Sequence, residues 1–152
     1  MRRSRVVLTA TYGARLEAAE RLRAAAQLSG GEPETLRASA SAIDEASARF
    51  SDAQIAVTYA AFAELLRVVA FLVEWRDAVM GATADADRFL RAARLRLDAW
   101  RAEYGVRAEA AGLLSAADAL STLDQPDGVG AACAQLANTP LPIGVDGDER
   151  HG

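Results

Sequence analysis

The chain has 152 residues, of which 51% are hydrophobic and only 6% aromatic, and its formal net charge is −4. That length suits one domain able to bury a core without staples. The acidic balance excludes the basic footprint expected of a binder of nucleic acid or of an anionic membrane surface.

Alanine, leucine and arginine dominate, which is helix-forming composition. All 17 basic residues are arginine. With the alanine excess, this reads as the codon bias of a high-GC bacterial genome, so the arginines are not evidence of bidentate recognition. Cys133 is the only cysteine, so no intramolecular disulfide forms. The basic start Arg2-Arg3-Ser4-Arg5 is followed by no unbroken apolar run, because Thr9, Thr11, Tyr12, Arg15 and Glu17 interrupt it. The expectation is a cytoplasmic protein, with leaderless export left open.

Leu8, Tyr12, Leu16, Ala19, Leu22 and Ala26 recur at spacings of three and four and predict a first helix, ended at Ser29-Gly30-Gly31-Glu32-Pro33. Leu36, Ile43, Phe50 and Val57 then recur every seven residues, with alanines beside them. This pattern predicts closely packed, nearly parallel helices. Ser51-Asp52 could cap a new helix, so residues 33–80 are one long helix or two in line. Residues 55–73 are nearly all apolar and long enough to span a bilayer. Glu64 and Arg67 oppose that reading, since each costs about 2.5–3.5 kcal/mol at a bilayer centre. With Glu74 they trace one narrow polar stripe, as on a central helix of a soluble bundle.

Gly81 is expected to end that helix, and Thr83 to cap the next, with Asp85 in its first turn. Ala86, Leu90, Ala93, Leu97, Trp100 and Tyr104 form one apolar face, opposite Arg88, Arg91, Arg94, Asp98 and Arg101. Gly105 is a stop. Ala110, Leu113, Leu114, Ala117 and Leu120 predict a further helix. Asp124-Gln125-Pro126-Asp127-Gly128 is turn chemistry. Val129 to Leu136 form a short helical run, and residues 139–152 form a mobile tail. The reading is an all-α bundle of four or five helices over residues 1–125. A turn, short helix and flexible tail follow over 126–152.

The chain is poor in catalytic side chains. His151 is the only histidine and sits in the polar tail, where no triad or Cys–His dyad would hold it. Zinc and di-iron sites need several ligands of kinds the chain does not supply, and a globin-like haem pocket has no histidine. A phosphate-binding P-loop needs a lysine, and no G-x-G-x-x-G follows a strand. No cofactor and no enzyme activity are expected. The arginines at 88, 91, 94, 96 and 101 alternate with Asp85, Asp87, Asp98 and Glu103, which suits a solvated, salt-bridged face. Trp75, Trp100 and Tyr104 are core aromatics at helix ends or anchors for a partner.

Residues 33–104, with two long helices, a break at Gly81 after Trp75 and an aromatic-acidic end from Trp100 to Glu109, resemble the small helical-hairpin proteins of type VII (ESX) secretion, the WXG type. Trp75 and Gly81 are six apart rather than in a Trp-x-Gly turn. Ala108 stands four residues after Tyr104 where that group's export signal has an acid, and Glu109 comes one later. The resemblance implies a helical protein that depends on a partner.

The leading expectation is a non-enzymatic interaction protein that binds a protein partner or its own copy through apolar helix faces in 36–61 and 86–104. The first alternative is a ligand-binding or regulatory bundle with a pocket near Arg67. The second is a membrane-associated protein acting through residues 55–73. Candidate contact residues are Tyr59, Phe62, Glu64, Arg67, Trp75, Trp100 and Tyr104; no nucleic-acid partner is expected.

Overall fold

The computed structural model describes residues 32–48 and 53–139. The helix expected over residues 8–26, the Ser51-Asp52 cap, Phe50 and the C-terminal tail with His151 lie outside the described residues. Five α-helices and no strands occur among those described: α1 (Pro33–Ser47), α2 (Ala53–Met80), α3 (Ala86–Tyr104), α4 (Leu114–Ser121) and α5 (Val129–Ala137). Two 3-10 segments, Ala108–Leu113 and Pro126–Gly128, lead into α4 and α5. The all-α bundle expected from the sequence is the observed architecture, and residues 33–80 contain two helices that pack side by side and antiparallel, neither one long helix nor two in line.

Pro33 starts α1, where its missing N–H costs nothing, and Glu34 stands in the first turn against the helix dipole. Leu36, Ala40 and Ile43 are buried, so the seven-residue repeat packs α1 onto this chain's own α2. Asp44 meets Arg67, and Arg37 meets Glu74, which makes the two helices antiparallel. The part of the expected partner surface that falls on α1 is therefore inside the fold.

α2 is 28 residues long, about 42 Å at 1.5 Å per residue. α1, α3, both 3-10 segments and α5 pack directly against it. Tyr59, Phe62, Leu65, Leu66, Val69 and Val73 are all fully buried. A helix covered on most sides shows little one-sided patterning, which is why its sequence is apolar almost throughout. By length and composition it could cross a membrane, with a mean hydropathy of 1.8 in its best window, yet 67% of that window is buried within the protein.

At its C-terminus, Thr83 N–H donates to the Ala78 carbonyl and Ala82 N–H to that of Val79. This is a Schellman closure. Its left-handed position falls on Ala82 (φ 53°), one residue after Gly81. Thr83 Oγ1 also donates to the Ala78 carbonyl at 3.4 Å. Thr83 therefore closes α2 instead of capping α3, whose N-cap is Asp85 without a side-chain capping bond.

α3 runs back along α2, with Ala93, Leu97 and Trp100 buried. The Trp100 indole N–H donates to the Ala61 carbonyl at 2.9 Å. α3 stops at Tyr104, before Gly105.

The helix expected over 110–120 is split. Residues 108–113 wind as a 3-10 segment, whose period of three puts Ala110 and Leu113 on one buried side. Thr58 Oγ1 donates to the Glu109 carbonyl at 2.6 Å and anchors that segment to α2. α4 buries Ala116, Ala117 and Leu120. α5 buries Val129, Ala132, Cys133 and Leu136 in the same hydrophobic cluster, so packing is continuous across the turn at 124–128.

Candidate interaction surface

One stripe of α2 stays at the surface, between α1 and α3: Ala60, Glu64, Arg67, Phe71 and Glu74, at alternating spacings of four and three. Arg67 holds it together. Its guanidinium donates at 2.5 Å to Asp44 on α1 and at 2.5 Å to Glu64 one turn back. Arg96 on α3 reaches the other Glu64 oxygen at 3.5 Å. Arg37 pairs with Glu74. The Phe71 ring lies between the Arg37 guanidinium at 4.9 Å and that of Arg96 at 5.9 Å. Such contacts contribute about 0.5–1 kcal/mol each at exposed sites.

These charges fasten three helices to one another. Burial alone would lower the Arg67 pKa, but the hydrogen bonds and charges of Asp44 and Glu64 outweigh it and raise it above the ordinary value. Tyr104 sits at one end of the cluster, its ring 5.9 Å from that of Trp100. Burial, then the carboxylates of Glu103, Glu64 and Asp44, push its phenol pKa up, with Arg107 opposing. Glu64 and Arg67 thus come together with Asp44 and Arg96, two residues outside the expected set, while the ring contact of Tyr104 is with Trp100. Tyr59, Phe62, Trp75 and Trp100 are in the core, at 4% exposure or less. None of these four presents an anchor to a partner.

A shallow apolar dimple between α2, α3 and α4, lined by Val68, Leu72, Leu90, Ala93, Arg94, Leu97, Leu120 and Leu123, has about 10 Å³ of room, roughly one water molecule. Cys133 is fully buried, and burial raises its thiol pKa, with Arg76 opposing. No group of three or more His, Cys, Asp or Glu side chains placed to hold a metal ion occurs among the described residues.

Exposed large apolar side chains occur at the end of α2, where Val79 is 42% and Met80 78% exposed, and on the outward side of α3. Leu95 is 71% exposed and Val106, just past the helix, is 91% exposed. Between them Ala99 and Ala102 are also exposed, and Ala92 is half-buried. Residues 92, 95, 99, 102 and 106 recur by three and four. At 100° per residue the four on the helix form one stripe, on the side of α3 away from Ala93, Leu97 and Trp100, and Val106 follows in the turn beyond Tyr104. α3 therefore has two apolar stripes: one faces α2 and the other faces outward. The charged residues around Leu95 obscured the second in the sequence, although its spacing was there to be counted.

Arg101 leaves this face to pair with Asp118 at 2.8 Å on α4. Arg88 stacks on Phe89 at 5.5 Å. Among the described residues, Arg91, Asp98 and Glu103 form no ion pair. The arginine-rich face is thus joined partly to other helices and partly left in solvent. No family model, curated protein or solved structure matches the chain.

Proposed function

We propose that the protein is a non-enzymatic helical interaction module that binds another protein surface through the outward face of α3. The observation that carries this reading is the apolar stripe centred on Leu95, Ala99 and Ala102, on the side of α3 opposite its buried one. Scattered exposed apolar residues are normal on a protein surface. Ala92, Leu95, Ala99 and Ala102 recur in heptad spacing along α3, the spacing helices use to pack on each other. Alanines in the seam let a partner backbone approach closely. The likeness of residues 33–104 to the WXG-type secretion proteins points the same way, toward a helical protein that works with a partner.

The alternatives draw less support. Arg67 already satisfies Asp44 and Glu64, which leaves little of its charge for an acidic ligand. The apolar run of α2 is mostly covered by this chain's own helices, which disfavours membrane association through residues 55–73.

The test is a photo-crosslinking amino acid at position 95, expressed in the native host, with a control at Ser115 on the surface of α4. The reading expects an adduct heavier than the monomer from position 95 and none from 115. No adduct at 95 would contradict it.

A further inference from the structure

We draw no further inference here: the strongest candidate, the outward apolar stripe of Ala92, Leu95, Ala99 and Ala102 on α3, carries nothing beyond the proposed interaction surface, because nothing in the structure shows what covers it.

Discussion

Leu95 and Leu97 stand two residues apart on α3 and face opposite ways, one 71% exposed and the other 3%. Leu97→Ala is expected to cost about 3 kcal/mol through lost burial and the cavity left. Leu95→Ala should change monomer stability by less than about 0.5 kcal/mol; urea unfolding of both variants checks the contrast. Ala82 holds the left-handed position of the α2 closure at φ 53°, a conformation that costs a residue with a Cβ about 1 kcal/mol or more. Ala82→Gly relieves that cost and gives back part of it as unfolded-chain entropy. The expected net gain is about 0.5 kcal/mol, read as a higher unfolding midpoint. Cys133 gives a pH dependence of known sign. Burial raises its thiol pKa above the ordinary 9.0, so the unfolded chain ionises first as pH rises. The stabilisation is complete below 9.0 and is lost as pH rises through the higher folded value. Tyr104 adds a loss of the same sign above its ordinary 10.0. Urea midpoints should fall on the alkaline side, with the first part of the fall reduced in Cys133→Ala. In the native state Cys133 should resist thiol reagents near neutral pH.

Among the elements, α2 was the most legible in sequence. Its length, its uniform apolarity and the stripe of Glu64, Arg67 and Glu74 identified a central helix with one hydrated edge, and the structure has that edge between α1 and α3. Arg67→Ala should destabilise the three-helix junction by about 1 kcal/mol, less at high salt, because its partners Asp44 and Glu64 are each partly exposed. Trp100→Phe should cost about 1–2 kcal/mol, since it removes the indole donor to the Ala61 carbonyl and leaves a small void. Other features depended on tertiary context that spacing does not record. The 3-10 winding of residues 108–113 is set by the anchor from Thr58 to the Glu109 carbonyl. α2 ends at Met80, directly before Gly81 as expected, but the role of Thr83 is set by the left-handed residue at Ala82. Tyr59, Phe62, Trp75 and Trp100 were candidates because large aromatics serve cores and interfaces alike. Only packing separates the two uses, and it assigns these four to the core. The α3 seam was the opposite case. Its heptad spacing stood in the sequence, but charged neighbours made Leu95 look incidental.

At the scale of the whole molecule, the question left by the sequence was what covers α2. α1, α3, the 3-10 segments and α5 cover most of it. The surface available to another protein then shifts from α2 to the outer side of α3. This division of labour, with α2 closed by its own chain and α3 open outward, is the central claim. Hydrogen exchange followed by mass spectrometry, on the full chain alone in dilute solution and with the protein captured at position 95 added, tests both halves at once. The account predicts that peptides from residues 61–73 are the most protected even in dilute solution. It also predicts that peptides spanning residues 92–104 gain protection when that protein is added. Unprotected α2 in the dilute protein, or α3 peptides that exchange equally fast with and without that protein, would contradict it.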